Sequence, residues 1–298
     1  MEQVTHGDGA RVSIGLPVYN GERFLDRALT CLRSQTFREF ELVISDNGST
    51  DETAAICARH AAEDGRIRYL REETNRGASW NFNNVVRGST ADYFMWAAHD
   101  DLWHETYVAR CVELLDARPD IVHCYAGGVS IDEHDRPLRN LRFGPDLTCD
   151  SQSERLRRYF SNPTAFHSLF GLIRRSALGF TDLMPNCFAG DVIFLAQLSL
   201  VGRATYVDDR LFYNRDFDGR ATRVLTESEA AAWYDPANAA RTPSSRFTQL
   251  RLVGRAIRRV PMSMAERVRC ALTLLRWANW NRRFLLTEAM ATLRPSRP

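Results

Sequence analysis

The sequence predicts an α/β fold built on a mostly parallel sheet and followed by a helical tail. Three observations lead there. Short apolar runs alternate with segments of helical spacing from residue 12 to about residue 128, the pattern of βαβ units. The runs are almost continuously apolar, as in strands covered on both faces. Most end in clusters of Gly, Asn, Asp or Pro, which punctuate turns.

Taken in order, VSIGLPV at 12–18 is the first strand, and it stops at Tyr19-Asn20-Gly21. Residues 22–35 place apolar side chains at 24, 25, 28, 29 and 32, one face of a helix. FELVIS at 40–45 is a second buried strand, ended by DNGSTDET. Ser49 or Thr50 offers a cap to the next helix, which runs to about His60. IRYLRE at 67–72 is a third strand, TNRGASWNFNNVVRGS at 74–89 a turn and a helix, and DYFMWAA at 92–98 a fourth strand. A helix near 104–117 and a strand near 121–128 follow.

Beyond this the pattern loosens. A basic helix is expected near 154–160, strand-like apolar pieces within 164–178, and a strong helix within 187–203 ended by Gly202. A strand and turn are expected at 204–216, and a polar linker at 235–245 carries Pro236 and Pro243. The expected division is 1–130, then 131–235 as the second half of the same domain, then a tail over 246–298.

All 39 basic residues are Arg. From Arg241 onward there are thirteen Arg and two acids, Glu266 and Glu288, against 26 Arg and 35 acids before it. A basic tail on an acidic body suggests an anionic partner. Nucleic acid is not implied, because no recognition motif accompanies the charge. Seven scattered Cys with no Cys-x-x-Cys pair argue against a disulfide framework or a zinc site. With no apolar signal core in MEQVTHGDGA and no spanning apolar run, the expected location is cytoplasmic.

In open α/β sheets, ligands bind beyond the carboxyl ends of the strands. Pro17–Gly21, Asp46–Thr50 and His99–Asp101 all fall at such ends. Each has a plain reading: a turn, an Asx turn with a helix cap, and an N-cap with a first-turn acid. The chemical reading of Asp100-Asp101 is a carboxylate site for Mg²⁺ or Mn²⁺, which takes one or two carboxylates plus substrate phosphates. Neither a P-loop nor a Gly-x-Gly-x-x-Gly fingerprint is present.

Together, VSIGLPVYNGERFLDRALTCLRSQTFREFELVISDNGSTDET, TNRGASWNFN and ADYFMWAAHDDLW resemble the nucleotide-sugar half of family 2 inverting glycosyltransferases. The likeness is good over residues 11–130 and continues to about 225. It implies a GT-A fold and transfer of a sugar from a nucleotide diphosphate to a glycan or glycolipid hydroxyl. It also implies a role in cell-envelope polysaccharide or lipopolysaccharide synthesis. Pro17, Tyr19 and Asn20 would hold the nucleoside, Asp46 the base, and Arg76 would line the nucleotide pocket. Asp100 would face the ribose or donor sugar and Asp101 the metal, while His99 has no assigned role.

Inverting transfer needs a base for the acceptor hydroxyl. The resemblance puts Asp191 there, although Gly190 stands where the family commonly has Glu. Phe217-Asp218-Gly219 replaces the family's His-Pro-Gly, and Arg215 or Arg220 would contact the diphosphate through the guanidinium fork. The arginines of the tail, from Arg255 to Arg283, interleave with Leu, Val, Trp277 and Trp280. They fit either an in-plane helix on an anionic membrane or a helix packed on the body. Two other functions remain open at this point: a nucleotidyltransferase, disfavoured by the lack of a Gly-rich basic loop after strand one, and a non-catalytic nucleotide-sugar-binding or scaffold protein.

Overall fold

The computed structural model describes residues 9–162, 166–218 and 245–293, together with 229, 233, 234 and 236. The first half alternates as expected: β1 Val12–Val18, α1 Glu22–Arg33, β2 Phe40–Asp46, α2 Thr53–Glu63, β3 Ile67–Arg71, α3 Ala78–Arg87 and β4 Tyr93–Trp96. Then come β5 Leu102–Trp103, α4 Tyr107–Ala117, β6 Ile121–Ile131, β7 Pro137–Asn140 and α5 Gln152–Ser161. A 3-10 turn at Phe166–Phe170 leads to β8 Leu172–Arg174, α6 Arg175–Leu178, α7 Gly190–Val201 and β9 Arg203–Arg215. The tail is α8 Ser245–Arg259, α9 Met264–Trp280 and α10 Arg282–Leu293.

One sheet runs β3-β2-β1-β4-β8-β6-β9-β5, with β7 on β6. The pairs β1–β2, β1–β4, β2–β3 and β6–β9 are parallel. The three-residue β8 inserts antiparallel between β4 and β6, and β5 lies antiparallel on β9. The sheet is therefore mixed from its centre outward, with more antiparallel pairing there than the mostly parallel order the sequence suggests. The strand-like pieces expected within 164–178 resolve into a 3-10 turn, β8 and a short helix.

The apolar pattern explains the core. Every residue of β1 is buried, and the buried residues of α1 are Phe24, Leu25, Ala28, Leu29 and Leu32, the five positions its periodicity marks. Trp96 at the end of β4 ties three elements together. Its ring meets Phe94 at 4.9 Å and Phe194 of α7 at 5.0 Å, both edge-on, and its indole N–H donates to the Phe82 carbonyl at 2.9 Å. The seven cysteines are free thiols. No helix among the described residues is long and apolar enough to cross a membrane.

Two buried histidines, His123 in β6 and His167 in the 3-10 turn, make a testable liability. Burial lowers His123 to about 4, although its contact with the Ser168 carbonyl opposes this. Burial also lowers His167 to about 4; its ring lies between Tyr125 and Phe212. Both are neutral in the folded chain and titrate near 6.5 when unfolded. The unfolded state therefore binds more protons on acidification. Their contribution is full above about pH 6.5 and lost as pH falls toward 4, on the order of 3 kcal/mol each. Urea midpoints should drop through that window, and His167→Phe should remove about half of the slope. A flat profile between those limits would count against buried neutral histidines.

Candidate active site

Parallel register brings the loops to one edge. Val18 pairs with Asp46 and Asp46 with Arg71, so β1, β2 and β3 end level. Gly15 pairs with Trp96 on the other side of β1, so the residues after β4 rise beside the end of β1. A Cβ on Gly21 would lie 2.8 Å from the His99 ring. His99 thus packs on the bare backbone of the first turn, which gives this strand-end residue a structural role.

The turn after β1 and the loop after β2 latch together. The Asn20 N–H donates to Ser49 Oγ at 2.9 Å, Thr50 N–H to Asn20 Oδ1 at 2.9 Å, and Gly21 N–H to Thr53 Oγ1 at 2.8 Å. Asn20 takes a left-handed φ of 50° to do so, a conformation that asparagine tolerates. Ser49 and Thr50 are consequently not the cap of α2. That helix starts at Thr53, and its N–H donates instead to Asp51 Oδ1 at 3.1 Å.

Asp46 is fully buried. Its Oδ1 accepts from Ser49 N–H at 2.9 Å and its Oδ2 from the Tyr69 hydroxyl at 2.8 Å, with Arg71 Nε at 3.6 Å. Burial and that bond to Asp46 push the Tyr69 hydroxyl well up. Next to it, Asn47 is an organiser that sequence reading missed. Its Oδ1 accepts from Arg76 N–H at 3.0 Å, and its Nδ2 donates to Asn75 Oδ1 at 2.8 Å and the Gly77 carbonyl at 3.2 Å. Asn81 of α3 donates to the carbonyls of Val18 and Ser45 at 3.1 and 3.0 Å, bonds that bind the ends of β1 and β2 to the helix. The signal was the asparagines in an otherwise amphipathic α3 and its approach, Asn75, Asn81, Asn83 and Asn84; Asn47 itself stood within a turn and gave none. Among the groups left outward at this edge are Tyr19, 38% exposed, and Arg76, whose guanidinium lies 4.0 Å from the Trp80 ring centre. Pro17 lies within buried β1.

The acidic pair is not a helix cap, because β5 intervenes and α4 begins behind Thr106. Asp100 is nearly buried and Asp101 fully so. Asp101 Oδ1 accepts from Arg215 N–H at 2.8 Å and Asn214 Nδ2 at 3.0 Å, and Oδ2 lies 3.2 Å from the same Nδ2. Arg215 is itself fully buried. Its Nε donates to the Asp100 carbonyl at 2.8 Å, and its Nη1 reaches the Asp132 carbonyl at 2.9 Å and the Asp135 carboxylate at 2.6 Å. Its guanidinium carbon lies 4.5 Å from the Phe24 ring centre. The structure thus places Arg215 as a strut behind the acidic pair, where the sequence suggested an arm to a diphosphate. Arg220 lies outside the described residues.

Asp191 sits in the first turn of α7, behind Ala189 in a left-handed conformation. The preceding loop is fastened to α3: Ser79 Oγ donates to the Pro185 carbonyl at 3.1 Å, and Asn83 exchanges bonds of 2.9 Å with the backbone of Met184. Through Gly77 and Asn47, α3 is also the wall of the strand-end loops. Burial raises the Asp191 carboxyl above its usual range, while the N–H groups of Val192 and Asp191 oppose the rise. A first-turn acid gains from the helix dipole, so desolvation outweighs that gain here. The charge of Asp191 is felt by Tyr159, Cys187 and Tyr234.

Among the described residues, no three His, Cys, Asp or Glu side chains cluster to hold a metal. A cation that arrives on substrate phosphates needs only one or two carboxylates, and the Asp100-Asp101 pair fits that sparse donor set.

The profile of Glycosyl transferase family 2 matches residues 13–180, more than half of the chain. The chain belongs to glycosyltransferase family 2. A glycosyltransferase of Rickettsia prowazekii, itself uncharacterized, is 29% identical over 210 residues, covering 70% of this chain and 56% of the relative. The family member described here therefore spans a little over half the length of that relative. The glycosyltransferase EpsE of Bacillus subtilis, assigned only provisionally, is 33% identical over 109 residues, 36% of this chain and 39% of that one. In structure, S. aureus TarS residues 1–349 with UDP-GlcNAc superpose at a TM-score of 0.65 and 17% identity, covering 92% of this chain and 74% of that one. Mannosyltransferase PcManGT of Pyrobaculum calidifontis, with GDP-Man and Mn²⁺, gives 0.52 and 17%, covering 96% and 81%. The fold of this family 2 chain is GT-A.

Proposed function

We propose that this enzyme transfers a sugar, with inversion, from a nucleotide diphosphate to a hydroxyl of a glycan or lipid-linked acceptor in cell-envelope synthesis. The observation that carries the proposal is the convergence of three strand-end loops around the held Asp100-Asp101 pair, with Asp191 brought to the same end by α3. Tyr19, Asp46 and Arg76 are proposed to frame the nucleoside, with Pro17 and Asn20 shaping the turn beneath it. Asp100 would face the donor sugar. Asp101 would hold Mg²⁺ or Mn²⁺, which when bound screens the diphosphate as it leaves.

Asp191 would take the acceptor proton as the acceptor oxygen bonds to the anomeric carbon and the carbon–oxygen bond to the diphosphate breaks. Desolvation suits it to this, since a raised carboxyl is the stronger base. The tail is proposed to meet an anionic membrane, with the enzyme at its cytoplasmic face.

A thermal-shift screen over UDP, GDP and dTDP sugars, with and without Mn²⁺, tests the reading. One nucleotide series should stabilise the protein by about 1–3 kcal/mol at saturating ligand, more with metal present, and its sugar should be released slowly to water. No response to any of them would remove the nucleotide-sugar assignment.

A further inference from the structure

The tail separates into two kinds of surface. One face of α9 is packed: Cys270 and Leu274 are buried, and Trp277 stacks on Phe160 of α5 at 5.5 Å. The opposite face exposes Met264, Val268, Leu272 and Leu275, at 72, 52, 49 and 62%. Their spacing of four, four and three residues makes a single stripe along the helix. Trp280 follows at the end of the helix, 87% exposed. On the helical wheel, Arg267 falls on one side of the stripe and Arg269 and Arg276 on the other.

The charge of this surface has one sign. The two acids of the tail are engaged elsewhere. Glu266 accepts from Ser153 N–H at 2.8 Å and pairs with Arg269, while Glu288 accepts from the backbone of Arg246 and Phe247 at 3.5 and 3.2 Å. Burial opposes ionisation of Glu266, but its bonds from Ser153 and Arg269 prevail and hold it near 2, so it stays charged and tied inward. Among the described residues the stripe is therefore an apolar band between arginines, of which Arg269 is paired with Glu266 and Arg276 is exposed.

We infer that the Met264–Leu275 stripe of α9, with Trp280, is the surface on which this enzyme lies in the plane of an anionic bilayer. Apolar side chains would enter the acyl boundary, Trp280 would sit at headgroup depth, and the flanking arginines would meet lipid phosphates. Trp277 takes no part, because its ring is used against α5. Two copies of the same face would bring arginine against arginine, which disfavours a symmetric dimer through this stripe. The inference deepens the proposed membrane contact by naming the face, and docking can be read without any sugar transfer.

The experiment is co-sedimentation of the full chain with vesicles of phosphatidylcholine alone or with about a third phosphatidylglycerol. Binding is expected only with the anionic lipid, weakened at least about tenfold by high salt. Leu272→Ser with Leu275→Ser should weaken it about tenfold or more, as should Arg267→Gln with Arg276→Gln. Leu272, Leu275 and Arg276 are exposed while Arg267 is half-buried, so melting temperature and nucleotide response should stay unchanged in the Ser variant, and Arg276→Gln alone serves as a second charge variant. Equal binding to both vesicle types, or undiminished binding of the Ser variant, would overturn the inference. A concentration-dependent dimer lost in the Ser variant, with no vesicle binding, would assign the stripe to a second copy instead.

Discussion

Asp191→Asn is expected to lower kcat by about 10²–10⁴-fold, the usual worth of a positioned general base. The amide keeps the shape of the carboxylate beside Tyr159, Cys187 and Tyr234, so folding and donor binding should persist. Only the acceptor for the proton is lost. The pH profile gives a second readout. Because burial raises the Asp191 carboxyl, the base is protonated and inactive at a higher pH than an ordinary aspartate. Wild-type kcat should therefore fall on acidification through that raised value, and the residual activity of the variant should lack that limb. Turnover equal to wild type in the purified variant would remove Asp191 from the mechanism.

Arg215→Met is expected to destabilise the fold by about 3–5 kcal/mol, the range for breaking a buried charge pair by removing one partner. The side chain is fully enclosed, and its loss removes a donor from the carbonyls of Asp100 and Asp132 and leaves Asp135 to Arg27. The effect should reach the site as well, because Nε of Arg215 fixes the backbone of the acidic pair at 2.8 Å. Arg215→Lys should recover only part of the loss, since an ammonium lacks the planar fork that meets several acceptors at once. Urea midpoints for the two variants measure this. A loss below about 1 kcal/mol for Arg215→Met would mean that the strut is dispensable.

The left half of the sheet was readable because its physics is local. VSIGLPV and FELVISD are apolar runs stopped by residues that break strands, and α1 buries the five positions its period marks. What the pattern did not reveal depends on distant partners. β5 and β8 are two and three residues long, too short for any periodicity, and β8 turns the centre of the sheet antiparallel. The missed β5 also explains why Asp100-Asp101 resembled a cap: without those two residues, α4 would begin directly behind the pair. Arg215 read as an arm toward a diphosphate because a charged residue at the end of a strand normally faces solvent. Its enclosure depends on Asp135, Asp132 and Phe24, which are brought together only by β6, its turn and α1. Asn47 and Asn81 were hidden for the same reason, as amides whose partners lie far off in the chain, in the loop before α3 for Asn47 and on β1 and β2 for Asn81.

The bonds from Asn214 and Arg215 to Asp101 carry a consequence for the order of assembly. The parallel layer β3-β2-β1-β4 is made from the first 96 residues and can begin to collapse while synthesis continues. Asp101 of its acidic pair, however, takes bonds from the last residues of β9, more than 110 positions later. Contacts of such sequence separation form late. A nascent chain that stops short of residue 214 would thus leave Asp101 without the donors of Asn214 and Arg215, a loss that a buried carboxylate resists. The same bonds make the centre proposed to hold the donor the last part of the sheet to be completed, so that the chain cannot acquire a finished site before its second half has folded onto the first.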